Sequence, residues 1–398
     1  MLLSYSVKNF KSIKEECTFS LIPGRKMKRF ENNVITSESG IRGLKSAVIV
    51  GENGGGKTNF IQSLDFLKFL FNSAEEIKTM RSLLHYDDAK KKSTQEFRVS
   101  VCLERIIYDY TLILDGTSIK EERLDVGISE SKKMNVFSIY RSDFKDVGKK
   151  IEIKFEWEMD ARLIDEQKIK SDAVQNSNRL FILKLELLDV EVVKPFCDWM
   201  RNKLIVHSPS NISYAKFLEI QKQEEDLEIL QDERFIEIFQ LVDPSIIKLK
   251  IDEEEPFKDS IVIRRSENGK EYRTRMSKES SGIRDFFAWS IDIWRVIYDD
   301  CTVFADEMDK VLNPLLSERV VTLIHGSEHK GQFVFSTHNV LHMNTINFMK
   351  QQLWITTRNK EDMSTNLYSL AEYKDFRYDR TNIYELYLSG LLGGTIDG

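Results

Sequence analysis

The chain has 398 residues, 41% of them hydrophobic and 31% charged, and its formal net charge at pH 7 is −6. This composition is typical of a globular protein with two or three domains, or of one domain with a large insertion. The acidic balance argues against a surface coated in positive charge for nonspecific binding of nucleic acid. Two local basic clusters, at 25–29 and 90–92, are interpreted as solvated faces.

The cysteines and the apolar runs indicate the cellular setting. The four cysteines are scattered, without the paired spacing of a zinc site or the context of a secreted disulfide framework. No stretch approaches about 18 uninterrupted apolar residues, so the sequence predicts no membrane span. The N-terminus meets polar residues at once, unlike a signal peptide. We therefore expect a cytoplasmic protein.

A glycine-rich stretch follows the first strongly apolar run. KSAVIV at 45–50 predicts a buried strand, and GENGGGKT at 51–58 fits the phosphate-binding pattern of Gly, four residues, Gly, Lys and Ser or Thr. The next residues predict a helix through the spacing of five apolar side chains: Phe60, Ile61, Leu64, Leu67 and Phe71. Strand, glycine loop and helix form the context that a P-loop requires, so the stretch is not a flexible linker.

The residue types of this loop suit a nucleotide. Glycines let successive backbone N–H groups turn toward a phosphate, and the following helix adds its positive N-terminal end. Lys57 is expected to reach the β- and γ-phosphates, and the hydroxyl of Thr58 to bind Mg²⁺. The predicted nucleotide contacts are Gly51, Glu52, Asn53, Gly54, Gly55, Gly56, Lys57, Thr58 and Asn59.

The middle of the chain predicts antiparallel strands followed by helices. FRVSVCL, YDYTLIL and KIEIKFEW alternate as strands do, with a hairpin turn at Asp115-Gly116. The segments 179–200 and 217–242 predict helices, and 259–276 predicts a second hairpin that turns at Asn268-Gly269. Because no heptad pattern is sustained, we expect a compact lid or dimerisation element and not a coiled-coil arm.

A long helical pattern begins near Ser280. Ser280, Ser281 and Gly282 precede apolar positions at helical spacing: Phe286, Phe287, Trp289, Ile293 and Trp294. Ser280 could act as a plain N-cap, or the hydroxyl, N–H groups and dipole at this helix end could bind an anion. The order of the motifs on either side favours the second interpretation.

Two apolar strands in the last third of the chain are each followed by polar groups. CTVFADEMD contains Asp306, placed to hold Mg²⁺, and Glu307, placed to act as a base toward the attacking water. QFVFSTHNV contains His338, which we interpret as a γ-phosphate sensor. His325 and His329 lie four residues apart, but no third ligand is near, so a metal site there is rejected. The predicted catalytic residues are Glu307, His338 and Lys57, and the predicted metal ligands are Thr58 and Asp306.

The order of P-loop, Ser-x-Gly helix, Asp-Glu strand and strand-end His resembles that of ABC-type, AAA-family ATPases, in particular the SMC, RecF and OLD branch. GENGGGKT, ESSGIR, VFADE and STHN are similar to the Walker A, signature, Walker B and switch-histidine motifs of this class. MDKVLNP resembles its D-loop, and the opening VKNFKSIKE is similar to its first strand. The resemblance implies an α/β P-loop ATPase head with a mixed sheet flanked by helices, and ATP and Mg²⁺ as ligands. It also implies an ATP-dependent homodimer or higher oligomer, in which Ser280 and Gly282 contact the partner's nucleotide.

The stretch FCDWMRNKLIV and the tail NIYELYLSGLLGGTIDG resemble a narrower group within this class of ATPases. These are the stand-alone ATP/GTP-phosphatase-like proteins of bacterial abortive-infection and PARIS-type anti-phage systems. This resemblance implies a slow ATPase switch that controls a separate effector, a toxin or nuclease. Glu279, Ser281 and Asn313 depart from the family patterns. The sequence leaves the Q-loop residue unplaced and does not strictly separate ATP from GTP, although ATP is favoured.

We predict three segments: an N-terminal part of the ATPase head at 1–94, an antiparallel-β and helical insertion at 95–276, and a C-terminal part of the head at 277–398. About 60 residues follow His338, fewer than the roughly 100 of an ordinary domain, so we expect no nuclease domain there. They are expected to complete the sheet with QQLWITT and to add a terminal helix.

The sequence also bears on two other functions. A RecF-like DNA-repair ATPase, which would bind DNA in its ATP state, is the alternative function, and the acidic balance weighs against it. A binding scaffold with an inactive site is disfavoured because Lys57, Asp306, Glu307 and His338 are all intact.

Overall fold

The computed structural model describes residues 1–25, 27–72, 85, 94–115, 118–129, 131–140, 152–153, 179–208, 213–220, 224–343, 345–373, 383–390 and 392. Some predicted features lie outside these residues: the basic cluster at 90–92, Gly116, most of KIEIKFEW and the end of the tail.

The strands and helices of the described residues have the following bounds. The strands are β1 (Leu2–Lys8), β2 (Cys17–Ser20), β3 (Val34–Thr36), β4 (Arg42–Leu44), β5 (Ser46–Val50), β6 (Gln95–Leu103), β7 (Ile106–Leu114), β8 (Ile119–Ser129), β9 (Lys132–Tyr140), β10 (Glu152–Ile153), β11 (Leu204–His207), β12 (Ile246–Lys250), β13 (Ile261–Arg265), β14 (Glu271–Arg275), β15 (Thr302–Ala305), β16 (Gln332–Thr337), β17 (Leu353–Arg358) and β18 (Thr365–Ser369). The helices are α1 (Lys57–Asn72), α2 (Phe181–Leu187), α3 (Lys194–Asp198), α4 (Tyr214–Ile220), α5 (Glu224–Gln231), α6 (Phe235–Phe239), α7 (Pro256–Asp259), α8 (Ser281–Tyr298), α9 (Pro314–Gly326) and α10 (Ile383–Leu388). Among these helices, none has the length and apolar character needed to cross a bilayer.

A six-stranded sheet carries the predicted P-loop segment. Its strand order is β11-β15-β16-β5-β17-β18, and all neighbours are parallel except β17 and β18. Every residue of β5, β15 and β16 is buried, as expected for parallel strands covered on both faces. Because the carboxyl ends of parallel strands lie at one edge, the residues that follow these three strands meet there.

A second sheet is mainly antiparallel and has the order β10-β9-β8-β7-β6-β1-β2. FRVSVCL and YDYTLIL fall in β6 and β7, and their predicted antiparallel pairing is confirmed. The strand that follows the predicted turn at Asp115 is β8, which pairs with β7, and a carboxylate, Glu122, occupies an inward position of that strand. Glu122 is buried, accepts a hydrogen bond from the hydroxyl of Tyr110 at 3.1 Å and accepts the backbone N–H groups of Phe181 and Ile182 at the start of α2.

Helix α1 packs with both sheets, and its apolar face is the one predicted from the sequence. Phe60 contacts Tyr5 of β1 with ring centroids 5.5 Å apart, and it belongs to the same buried cluster as Ala47 and Ile49 of β5. The alternate residues of β5, Val48 and Val50, point to the other face and pack with α8 and α9. The central sheet is therefore covered on both sides, which explains why its strands are apolar throughout.

One buried side chain, Gln332 at the start of β16, joins the two sheets. Its Oε1 accepts the backbone N–H of Leu2, and its Nε2 donates to the carbonyls of Leu2 at 3.0 Å and Leu44 at 2.9 Å. The hydroxyl of Thr302 also donates to Oε1, at 3.2 Å. Because Gln332 is fully buried, removal of the amide leaves these backbone groups without their partner inside the protein.

We expect Gln332→Ala to lower the free energy of unfolding by about 2–4 kcal/mol, since it leaves at least two buried backbone groups unpaired at about 1–3 kcal/mol each. Urea titration followed by circular dichroism measures this change. Gln231→Ala, on the exposed face of α5, is the matched control and is expected to stay within about 0.5 kcal/mol of the wild type. Equal effects of the two variants would contradict the role assigned to Gln332.

The two long segments predicted as helices are broken into short ones. The first is interrupted at Asp189, which has φ of 64° and ends α2, and a new helix starts where Pro195 occupies the first turn. It ends in a π-helical turn at Trp199–Lys203. The second segment forms α4, α5 and α6. The amphipathic spacing continues across these breaks, but tertiary packing decides where each helix ends. In the second segment, α4, α5 and α6 all pack on α8.

The second predicted hairpin is confirmed as β13 and β14, and Gly269 in its turn has φ of 79°. β12 extends it to a three-stranded sheet. The predicted boundaries at 94 and 276 cut across the two larger sheets. β1 and β2 pair with strands of the middle segment, and β11 of the middle segment belongs to the central sheet. The division into three domains stays a prediction.

Candidate active site

The glycine loop connects β5 to α1, and Lys57 is the first residue of that helix. Gly54 and Gly56 have φ of 79° and 99°, in the region that side chains disfavour. A Cβ at Gly56 would lie 2.0 Å from Oγ1 of Thr365, and a Cβ at Gly51 would lie 2.2 Å from Oγ1 of Thr356. The glycines are therefore required both by the backbone angles and by the close approach of β17 and β18.

Sequence reasoning missed the residues that support this loop. Thr365 Oγ1 and Ser12 Oγ lie 2.8 Å apart, and Asn59 Nδ2 donates to Ser12 Oγ at 2.6 Å. The opening VKNFKS held a signal for Ser12, which is the last residue of that motif. Thr356 and Thr365 carried no signal, because threonine is an ordinary strand residue and only the fold places these two beside the loop.

The ammonium group of Lys57 is directed into the loop. It donates to the carbonyls of Gly51 at 2.6 Å and Glu52 at 3.1 Å, and it lies 3.1 Å from Nδ1 of His338. Burial lowers the pKa of Lys57 to about 8, although carboxylates that include Asp306 oppose this shift. The loop thus contains an ammonium group whose hydrogen bonds are accepted by neutral carbonyl oxygens. A phosphate, which is charged, would accept hydrogen bonds from this group more strongly.

Asp306 follows β15 directly and is 8% exposed. Its Oδ1 accepts hydrogen bonds from the hydroxyl of Ser336 and from the backbone N–H of Glu307. Its Oδ2 is buried and has no hydrogen-bond partner in the described part of the chain. Burial raises the pKa of Asp306 above its ordinary value, and the hydroxyls of Ser336 and Thr58 oppose that shift.

These groups fit a magnesium ion. Mg²⁺ binds oxygen ligands, usually one or two carboxylates together with substrate phosphates. The partnerless oxygen of Asp306, with the hydroxyl of Thr58 nearby, supplies donors of this kind. A bound cation would also offset the burial that disfavours the charge of Asp306.

Glu307 has an unusual backbone, with φ of 54° and ψ of 42° in the left-handed region. Its N–H donates to Ser336 Oγ at 2.9 Å, and its carboxylate forms an ion pair with Lys310. A non-glycine residue in this conformation costs about 1 kcal/mol or more and persists where the surroundings enforce it, often at functional sites. This conformation ends the extended backbone of the strand at Glu307, directly after Asp306.

His338 follows β16, the neighbour of both β5 and β15. Its backbone N–H donates to Oδ1 of Asp309 at 3.2 Å, and its ring faces the ammonium group of Lys57. The central sheet therefore brings Lys57, Asp306, Glu307 and His338 to one edge, although almost 300 residues separate the first from the last.

Ser280 and Gly282 lie at the exposed start of α8. Ser280 caps α8 by accepting the N–H of Ile283 at 3.4 Å, and Gly282 faces open space. No hydrogen bond or ion pair joins either residue to the glycine loop within the described ranges. Glu279, which departs from the family pattern, is held by Arg264 of β13 through two bonds of 2.6 Å and 2.9 Å.

The two histidines rejected as metal ligands have other partners. His325 Nε2 lies 2.7 Å from Ser46 Oγ, and burial lowers the pKa of His325 to about 3. His329 Nε2 donates to the carbonyl of Ile324 at 2.8 Å. Both lie near the end of the central sheet that is opposite the P-loop.

The sequence from 46 to 344 matches the model of a protein family described as "AAA domain, putative AbiEii toxin, Type IV TA system". The chain belongs to this AAA family. Membership and the observed architecture confirm the predicted fold class, an α/β P-loop ATPase head with a mixed sheet and an antiparallel-β region. No curated protein matches the chain.

Solved structures that this AAA-family chain is similar to include three SMC heads. The SMC head bound to the C-winged helix domain of ScpA is 14% identical to this chain, with a TM-score of 0.48. The match covers 92% of this chain and 97% of the SMC head chain. The SMC head domain from Thermotoga maritima is 12% identical, with coverages of 92% and 98% and a TM-score of 0.41. An SMC head from Pyrococcus furiosus, bound to the C-terminal domain of ScpA, is 14% identical, with coverages of 92% and 96% and a TM-score of 0.42.

Proposed function

We propose that this protein is a cytoplasmic ATPase switch that dimerises through ATP and controls a separate effector protein in anti-phage defence. One observation carries the proposal. Lys57, Asp306, Glu307 and His338 meet at one sheet edge, whereas Ser280 at the capped end of α8 is exposed and, among the described residues, forms no hydrogen bond or ion pair with them. An anion-binding helix end that its own P-loop does not use is suited to the nucleotide of a second copy.

Each residue at this edge of the central sheet has a separate role in the proposed hydrolysis of ATP. Lys57 leaves the carbonyls of the loop and donates to the β- and γ-phosphates. Glu307 accepts a proton from the attacking water once its ion pair with Lys310 opens. His338, beside Lys57, contacts the γ-phosphate and reports its presence. When bound at Thr58 and Asp306, Mg²⁺ supplies positive charge against the phosphate oxygens.

Slow turnover follows from this arrangement, because the site is complete only when two copies meet. Control of a separate effector is supported by the family description, which refers to a toxin–antitoxin system, and by the resemblance of the tail to anti-phage ATPases. The four cysteines are free and buried, which suits the reducing cytoplasm.

The test is to purify the Glu307→Gln variant from its native host with Mg-ATP and to identify what accompanies it by mass spectrometry and nucleic-acid staining. Lys57→Ala is the matched control, since it removes the phosphate contact. A stoichiometric protein that is absent from the control and leaves when ATP is washed out would support the switch. DNA without a protein partner would favour the RecF-like alternative and contradict the proposal.

A further inference from the structure

His207 links the candidate metal site to the helix that begins at Ser280. It is the last residue of β11, the edge strand that pairs with β15 in parallel, and it lies opposite Ala305. Its carbonyl accepts the backbone N–H of Asp306 at 3.1 Å. The position of the strand end at His207 therefore fixes the point at which Asp306 leaves the sheet.

The ring of His207 is held by α8. Its Nε2 lies 2.9 Å from Oδ2 of Asp292, which is fully buried. Its centroid lies 4.9 Å from that of Trp289, also on α8, and 4.5 Å from that of Tyr214 on α4. A histidine enclosed in this way cannot move without either Asp292 or the aromatic rings moving with it.

Asp292 is itself tied to the rest of the structure. Its Oδ1 accepts from Arg295 at 3.3 Å, and Arg295 binds Asp226 of α5 at 2.7 Å. Burial disfavours the charge of Asp292, but His207, Arg295 and Tyr214 together hold its pKa below the ordinary value. The anchor for His207 is thus a charged group with partners on several elements.

Helix α8 reaches from this anchor to the exposed cap. It has 18 residues, so a rigid rod of about 27 Å runs from Ser280 past Trp289 and Asp292. A cavity of about 320 Å³ lies between α8 and the residues after β15, with His207, Trp289, Asp306 and Glu307 in its lining. Across this space, the bond between His207 and Asp292 connects the helix to the catalytic edge.

We propose that His207 is a positioning residue: anchored to α8 through Asp292, it holds Asp306 in the place from which it binds the metal of the nucleotide complex. The inference rests on the proposed function for the metal role of Asp306. It adds a route by which a nucleotide docked at the Ser280 end of α8 acts on the protomer's own metal site. Neither His207 nor Asp292 was a predicted site residue, because a lone histidine at a strand end gives no sequence signal without its distant partner.

The test compares ATP binding with and without Mg²⁺ in the Glu307→Gln background, so that hydrolysis does not interfere. We expect Mg²⁺ to tighten ATP binding in the parent, and His207→Ala to reduce that gain about tenfold, as losses of supporting contacts at metal sites do. Binding without Mg²⁺ is expected to stay within about twofold, because the glycine loop and Lys57 are untouched. His207→Gln, whose amide can donate to Asp292, is expected to restore most of the gain.

Controls distinguish a specific effect of His207 from a general loss of stability and from failure of the proposed metal role of Asp306. His329→Ala removes a histidine ring near the opposite end of the sheet and should leave the gain intact. If His207→Ala does not fold, His207→Asn, with a side chain too short to reach Asp292, takes its place. An unchanged gain in His207→Ala, or in His207→Asn where that variant replaces it, would overturn this inference alone, and so would an equal loss of ATP binding without Mg²⁺. A parent that shows no gain from Mg²⁺ would overturn the metal role of Asp306 and this inference with it.

Discussion

Glu307→Gln is expected to lower the turnover number for ATP about a thousandfold while ATP affinity stays within about twofold, since a general base contributes about 10²–10⁴ to rate. The substitution keeps the size of the side chain. The backbone bonds that enforce its left-handed conformation, from its N–H to Ser336 and Asp306, remain available. The capacity to take a proton is lost, together with the charge that pairs with the exposed Lys310. Phosphate release gives the rate, and equilibrium titration with a fluorescent ATP analogue gives the affinity.

The same variant is expected to accumulate the ATP-bound dimer, because the step that ends this state is blocked. Light scattering after gel filtration, with and without Mg-ATP, measures the change in mass. Glu361→Gln, on an exposed turn, is the matched control and should behave as the wild type. Turnover within a few-fold of the wild type would remove Glu307 from the role of base and direct attention to His338.

The P-loop segment could be predicted from the sequence because each of its requirements is local. The positive φ angles of Gly54 and Gly56 are what a glycine-rich phosphate-binding pattern leads one to expect, without reference to any distant residue. The apolar face of α1 follows from the spacing of its apolar side chains. The same holds for the strand before Asp306, whose four residues are all buried. Local patterns of this kind were enough to predict β5, β15, β16 and β17 of the central sheet and the order of the motifs that follow them.

What the sequence could not supply is the set of neighbours that the fold brings from far away. Thr356 and Thr365 press on the loop from strands about 300 residues later, and only the register of β17 and β18 puts them there. His207 meets Asp292 in the same way. The helices predicted at 179–200 and 217–242 were too long for a different reason. Nothing in the local sequence marks a break such as that at Asp189, and packing decides where each helix ends.

Glu279 shows how a departure from a family pattern can have a structural explanation. Its carboxylate is fixed by Arg264, which also binds Asp243 at 2.7 Å, so the residue before the cap of α8 is fastened to the three-stranded sheet. The cap therefore has a defined position on the surface even without a partner. Such pre-organisation lowers the entropic cost of the proposed dimerisation.

We expect raising the pH from 7 to 9 to weaken Mg-ATP binding about tenfold, through the titration of Lys57. Burial places the pKa of its ammonium group at about 8 in the free protein. Phosphate oxygens favour the charged form, so the pKa is higher in the complex. Affinity is therefore complete below pH 8 and falls as the pH rises through that value, by about tenfold for each unit until the pKa of the complex is reached.

Lys57→Ala tests the assignment, since it removes the titrating group. Loss of a charged hydrogen bond, at about 1.5–3 kcal/mol, is expected to weaken binding by about tenfold to a hundredfold at pH 7. The variant should then show a flat affinity from pH 7 to 9, whereas the wild type loses affinity across this range. Isothermal titration at several pH values measures both, and thermal unfolding without nucleotide checks that the fold persists. A parallel decline in both proteins would assign the titration to the nucleotide or to another side chain, and the buried cation of the loop would lose its proposed part in binding.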